Sequence, residues 1–272
     1  MIEFSIILAS KNLAKSPFFK AIRDWPSDEN SELIIVDSTW NSDTAKMLKN
    51  IDKVARIIYI PPIRRPYVDA PRFNFRRDFN RALNSALVVA EHEYIVRIDD
   101  YILLKDDFFD VARQDVERYG ERLIIGQKAH ENENEEPWID YFSQRGFHPN
   151  ERYVEINDPT FTWSFGIASL EILLQINGWD ERYDIGYAGE DADIFARYTC
   201  YTKKKPILDK LLMGYGLKHN RQLEEILPSR WIFESTLPEI KCGKTWAYNP
   251  INLLDIRKQL KDEMRKQFTV VE

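Results

Sequence analysis

Phe4 to Ser10 is a near-continuous apolar run that stops at Ser10-Lys-Asn12. A run of this kind, closed by polar turn residues, predicts a strand buried on both faces. An amphipathic segment from Leu13 to Trp25 follows, and then a second apolar run, Glu32-Leu-Ile-Ile-Val-Asp37, that ends in Asp-Ser-Thr. Ser42 and Asp43 cap a predicted helix reaching about Asp52. Ala55 to Ile60 is a third apolar run, closed by Pro61-Pro62. Strand, helix, strand, helix, strand in short order predicts a parallel sheet with helices on its faces, whose ligand sites lie at the C-terminal ends of the strands.

The pattern continues with a helix ending near Ala90, a strand over Glu93 to Tyr101, a helix over Lys105 to Tyr119 and a strand over Glu121 to Gln127. Pro206 to Met213 reads as a further strand, and Ile251 to Gln267 as a charged amphipathic helix that could pack on the body, close over a ligand or make a homodimer contact. Trp138 to Asp158 has several aromatics and no period, so it receives no assignment.

The length of 272 residues suits one α/β enzyme with a full core. A net charge of -6, with both signs mixed throughout, disfavours a protein whose main partner is a nucleic-acid backbone. Cys200 and Cys242 stand far apart in no metal-like spacing, which reads as two reduced thiols. No run is long and apolar enough for a transmembrane segment, and the expectation is a soluble cytoplasmic protein. No Gly-rich phosphate loop occurs.

Candidate chemistry concentrates in Asn177-Gly-Trp-Asp-Glu-Arg-Tyr-Asp-Ile-Gly-Tyr-Ala-Gly-Glu-Asp-Ala-Asp-Ile-Phe-Ala-Arg197. An Asn-Gly turn opens it, and Gly189-Glu190-Asp191 steps into a helix-like segment. Carboxylates in a first helical turn are kept ionised by unpaired N-H groups, which suits either a cap or a pre-organised base. Trp179 and Tyr187 make the preceding loop resemble the wall of a sugar or base pocket, and Trp163 offers a further stacking face, although aromatics at such spacing also serve as plain core.

Elsewhere, Asp37 at the end of the second strand could bond a base edge or ribose, or cap a turn. Arg76, Arg77 and Arg81 near a helix start could pair with a diphosphate or form a solvated basic face. Asp99-Asp100 closes an apolar strand with hard oxygen ligands suited to Mg2+ or Mn2+. The run His130-Glu-Asn-Glu-Asn-Glu-Glu-Pro137 reads as a solvated acidic loop.

The stretch from Asn177 to Arg197 resembles the C-terminal catalytic segment of GT-A fold glycosyltransferases, in particular the inverting beta-1,4-galactosyltransferase and chondroitin-polymerase-like members. The resemblance implies a GT-A fold, an α/β architecture with a Rossmann-like, mostly parallel central sheet flanked by helices. It also implies a nucleotide-sugar donor, here UDP-linked, and a glycan or other hydroxyl acceptor. It makes Asp191 the general base and Glu190 an acceptor-binding or supporting carboxylate, with Gly189 beside them, and it places Ala9, Lys11 and Asp37 at the nucleoside. Phe73 to Asn84 is similar to the segment that precedes the metal motif, which makes Arg76, Arg77, Asn80 and Asn84 donor-side candidates. The family's Asp-X-Asp is not reproduced: with Asp99 as its first residue the second falls on Tyr101, and with Asp100 as its second the first falls on Ile98. Asp100 with His219 is then expected at a Mn2+ or Mg2+ ion and Asp99 near the ribose or sugar, with the reverse order of the two aspartates the alternative.

These readings divide the chain into a nucleotide-sugar-binding half (1-100), an acceptor-binding and catalytic half (101-220) and a C-terminal helical tail (221-272). A nucleotidyltransferase and a non-catalytic nucleotide- or carbohydrate-binding module are the alternatives. The first wants a Gly-rich triphosphate loop, and the second is favoured by Tyr101 in the metal motif.

Overall fold

In a computed structural model of the chain, the structure describes residues 1-63, 78-130, 151-156, 163, 165-185, 189-217, 238-240, 243-249 and 252-272. The strands are β1 (Phe4–Ser10), β2 (Asp28–Asp37), β3 (Val54–Ile60), β4 (Tyr94–Asp99), β5 (Ile102–Leu104), β6 (Ile124–His130), β7 (Tyr153–Glu155), β8 (Gly166–Ser169), β9 (Ile207–Gly216) and β10 (Thr269–Val271). The helices are α1 (Phe18–Ala21), α2 (Ser42–Leu48), α3 (Phe79–Val89), α4 (Phe108–Tyr119), α5 (Leu170–Gln175), α6 (Glu190–Thr202) and α7 (Leu253–Phe268). Among the described residues the strands join in one ten-stranded sheet of order β10-β3-β2-β1-β4-β8-β6-β9-β5, with β7 paired to β9. Strands β3, β2, β1 and β4 are mutually parallel, as their mostly apolar runs predict. The sheet is continuous across residue 100, and the tail returns to it as β10 on the edge of β3.

Both faces of the parallel strands are covered. Ile7, Ala9, Ile34, Val36, Ile58 and Ile95 join one core with α3, α5, α6 and α7. The alternate residues Phe4, Ile6, Leu8, Leu33, Ile35, Val96 and Ile98 join a second core with α1 and α4. Period-two alternation thus sends successive residues into opposite layers, and the core facing α3 and α6 is the one that carries the candidate chemistry. The C-terminal helix packs on the body, the first of the three roles open to it. Arg257 donates to the carbonyls of Leu87 and Val88 at 2.7 and 2.9 Å, Arg265 donates to that of Val89 at 2.6 Å, and together they satisfy the C-terminal end of α3. No helix among the described residues is long and apolar enough to cross a membrane.

The segment Leu13 to Trp25 breaks into two 3-10 turns around the short α1 instead of one helix, and α2 stops at Leu48. Far from the strand ends, α4 and β9 bury two carboxylates together. Asp115 and Asp209 are fully buried and share Arg152, whose Nη2 donates to Asp115 at 3.2 Å and to Asp209 at 2.9 Å. Burial, and then the hydrogen bond and charge of Asp209, push the Asp115 carboxyl up to about 8, so the folded state holds a proton that the unfolded chain releases near pH 4. Stability from this pair is therefore complete at pH 4 and is lost as pH rises towards 8. Melting temperatures across that range should fall for the native chain relative to Asp115→Asn, whose amide donates the same hydrogen bond at every pH. Parallel curves for the two proteins would refute the shared proton.

Candidate active site

The register of the parallel strands brings their last residues side by side. Ala9 lies opposite both Val36 and Asp99, and Ser10 lies opposite Asp37. Lys11 follows on the exposed rim. Asp37 differs from the expectation of a nucleoside contact. It is fully buried, and its carboxylate accepts from Leu13 N at 3.1 Å, Tyr59 Oη at 2.8 Å and Thr39 N at 2.8 Å. These donors leave it organising the turns after β1 and β2, the alternative role for a strand-end aspartate. Burial and the Asp37 charge together push the Tyr59 phenol well above its ordinary range, so it remains a donor.

The stretch from Asn177 forms the opposite wall. Helix α5 ends in a Schellman turn: Gly178 N donates to Leu173 O at 2.8 Å and Asn177 N to Leu174 O at 3.1 Å, with φ of 63° at Asn177 and 65° at Gly178. A Cβ on Gly178 would lie 2.2 Å from Asn84 Oδ1, so only glycine lets this turn approach α3. Asn84 then clamps the turn, accepting from Trp179 N at 2.9 Å and donating to Trp179 O at 2.9 Å and to Glu181 Oε1 at 3.2 Å. Asp184 supplies the N-terminal cap of α3 from a distance of about a hundred residues. Its carboxylate accepts from the backbone N-H groups of Asn80 (2.8 Å) and Arg81 (3.2 Å) and from Asn80 Nδ2 (3.0 Å). Asn80 and Asn84 are therefore corrected from donor contacts to the bonds that dock this wall on α3; both are 2% exposed. Behind them Arg197 is fully buried, forks onto Asp193 at 2.7 and 3.1 Å and reaches Asp180, which fixes α6 to the loop before it.

Gly189, with φ 101° and ψ -24°, precedes α6, and Glu190 and Asp191 occupy its first turn as the sequence predicts. The side chain of Asp191 is 14% exposed and pairs with Arg97, which is buried to 2% in the middle of β4. Arg97 also donates to the carbonyl of Trp163, and its guanidinium stands 5.3 Å from the ring centre of Phe79, 6.0 Å from Trp163 and 5.6 Å from Trp179. The two indoles are fully buried and stack on each other at 5.3 Å with 6° between planes. Trp163 and Trp179 thus take the plain-core alternative in place of stacking faces for a sugar: their faces are turned to one another and to the cation, an arrangement that is most favourable when water is excluded. Burial lowers the Arg97 pKa, but Asp191, Asp99 and Glu190 outweigh it, and the group stays charged.

Two residues along β4, on the same face as Arg97, Asp99 pairs with Lys128 of β6 and accepts from Tyr101 Oη at 3.1 Å. Burial raises the Asp99 carboxyl, while Lys128 and Arg97 more than offset it and hold the group below its ordinary range. Asp100 accepts from Ser10 Oγ at 2.6 Å. Charges therefore alternate along one line, Lys128, Asp99, Arg97, Asp191. Among the described residues no group of three His, Cys, Asp or Glu side chains could hold a metal ion. With Asp99 bonded to an ammonium and a phenol at position 101, the described donors do not by themselves fit a divalent ion. Arg76, Arg77, Tyr187 and His219 lie outside the described residues.

Sequence reasoning passed over Arg97 and Lys128. A charge at an inward position of the apolar run Tyr94-Ile-Val-Arg-Ile-Asp99 is the signal for Arg97, since an unpaired charge there would be prohibitive. Lys128 carries no comparable signal.

A sheet with four parallel strands, a short reversed strand β8 beside β4, and acidic groups at the ends of β4 and at the start of α6 defines the GT-A fold. The chain is similar in fold to Staphylococcus aureus TarS 1-349 in complex with UDP-GlcNAc, with a TM-score of 0.62 at 13% identity, covering 97% of this chain and 71% of that one. It is also similar to the mannosyltransferase PcManGT from Pyrobaculum calidifontis in complex with GDP-Man and Mn2+, with a TM-score of 0.56 at 14% identity, covering 95% and 69%. No protein-family model and no curated protein sequence matches the chain.

Proposed function

We propose that the chain is an inverting glycosyltransferase that moves a hexosyl unit from a nucleotide-sugar donor, UDP-linked, to an acceptor hydroxyl. The observation that carries this reading is Asp191: a carboxylate in the first turn of α6, 14% exposed and paired with the buried Arg97 of β4, the strand that ends in Asp99. The sugar nucleotides bound by TarS and by the mannosyltransferase support the donor class. In this reading Asp191 takes the acceptor proton as the hydroxyl oxygen attacks the anomeric carbon from the face opposite the diphosphate. One displacement of this kind needs one base and no enzyme nucleophile. The residues up to about 100 serve the donor and those to about 220 the acceptor, with Glu190 on the acceptor side. Were a divalent ion bound, as Mn2+ is in the mannosyltransferase, Asp100 and His219 would be the groups to hold it.

The test is thermal stability against UDP, GDP, CDP, dTDP and their sugars, each with and without Mn2+. A ligand at about 100 times its dissociation constant raises stability by about 2.7 kcal/mol. A shift confined to uridine nucleotides is expected, and no shift with any of them would sink the reading. Tyr101 in the metal motif favours a second reading, a non-catalytic binding module, which predicts the same shift with no turnover of the donor.

A further inference from the structure

The donor end of the site carries a cation of its own. Lys128 is 9% exposed, and its ammonium reaches Asp99 Oδ2 at the C-terminal end of β4. Strand β8 begins only at Gly166, opposite Arg97 and Ile125, and beyond that point β4 and β6 run on to bring Asp99 and Lys128 together. This is the strand-end crevice where a parallel sheet receives a nucleotide. Tyr101, two residues beyond Asp99 and at the second carboxylate of the metal motif if Asp99 is the first, donates to the same Oδ2 at 3.1 Å, and its ring centre stands 5.7 Å from Lys128 Nζ. A neutral phenol is a poor ligand for a hard divalent ion and a good neighbour for an ammonium.

We propose that Lys128 is the cation that binds the donor diphosphate, in the role a divalent metal would otherwise fill, so that the chain binds its nucleoside diphosphate without one. The inference rests on the nucleotide-sugar reading. An ammonium has three N-H donors; Asp99 takes one and aims the group, which leaves two for phosphate oxygens. Arg97 has the matching task at the other end of the charge line, where it holds Asp191. As transfer proceeds, the bond from the anomeric carbon to the diphosphate oxygen breaks and its electron pair stays on that oxygen, beside Lys128. The acceptor oxygen bonds to the same carbon, and its proton passes to Asp191. A fixed cation at the departing oxygen gives the transition state more stabilisation than the ground state.

The test uses the full chain and UDP as probe, with the dissociation constant measured in EDTA and in Mn2+ for the native protein, Lys128→Met, Lys128→Arg and Tyr101→Asp. The native protein should bind UDP within about twofold in the two buffers. Lys128→Met should weaken binding at least tenfold in EDTA, and Lys128→Arg should recover part of the loss. Tyr101→Asp, which places a second carboxylate beside Asp99 in place of the phenol, should make binding tighter in Mn2+ than in EDTA. Native binding more than tenfold tighter in Mn2+ overturns the proposal and leaves the transferase reading intact. Undiminished binding by a folded Lys128→Met overturns it equally. If Lys128→Met does not fold, the native comparison and Tyr101→Asp decide. Binding of no nucleoside diphosphate in either buffer removes both readings.

Discussion

Asp191→Asn should lower sugar transfer by about 10²- to 10⁴-fold while the affinity for UDP stays within about twofold. The amide keeps the shape of the carboxylate and still offers an oxygen to Arg97, so the start of α6 and the buried arginine stay in place. What is lost is basicity: an amide cannot take the acceptor proton at neutral pH. Affinity for UDP is preserved because Asp191 stands at the far end of the charge line from Asp99 and Lys128, with Arg97 between. The measurement is UDP release from the donor sugar, with and without candidate acceptors, beside a thermal titration with UDP. Release within tenfold of the native rate would remove Asp191 from the base role. A parallel fall in UDP affinity would mean that the substitution had disturbed the donor end, and the role would again fail.

Arg97→Met should cost about 3 to 5 kcal/mol of folding stability, the usual consequence of removing one partner of a buried ion pair. The guanidinium lies between Asp191 and the field of Asp99, against three aromatic rings, and donates to the carbonyl of Trp163. Methionine fills much of the space but leaves Asp191 without its counter-ion and Trp163 O without its donor. Lysine is no substitute, because an ammonium lacks the planar guanidinium that lies against the three rings. Urea denaturation of the single variants and of Arg97→Met with Asp191→Asn closes a double-mutant cycle. The double variant should be less destabilised than the sum of the singles, since neutralising Asp191 removes the stranded charge. A loss below about 1 kcal/mol in Arg97→Met, or strict additivity, would show that the pair is not coupled as its geometry implies.

The parallel half of the sheet was legible in the chain because a strand buried on both faces must be mostly apolar, and β1, β3, β4 and the second half of β2 are. The helix at Glu190 was legible because a glycine with left-handed backbone followed by acidic residues is a local signal. Helix α5 and strands β5, β7 and β10 were not read. Each is short, and β10 depends on the edge of β3, more than two hundred residues away in the chain. Ile58 pairs with Thr269 only because α7 carries the chain back across α3.

The same division runs through the site. Residue type and order alone located the acidic strand end at Asp99-Asp100 and the acidic helix start at Glu190-Asp191, since both are local patterns with local causes. Which polar groups face each other is a long-range matter. Asn80 and Asn84 look like ligand contacts until Asp184 and Trp179 arrive from another part of the chain to take their hydrogen bonds. Trp163 and Trp179 look like sugar platforms until they stack on each other. Buried polar groups must find partners, and spacing along the chain does not reveal which distant segment supplies them. The line from Lys128 through Asp99 and Arg97 to Asp191 draws on β6, β4 and α6, and only the packing of those three elements brought it together.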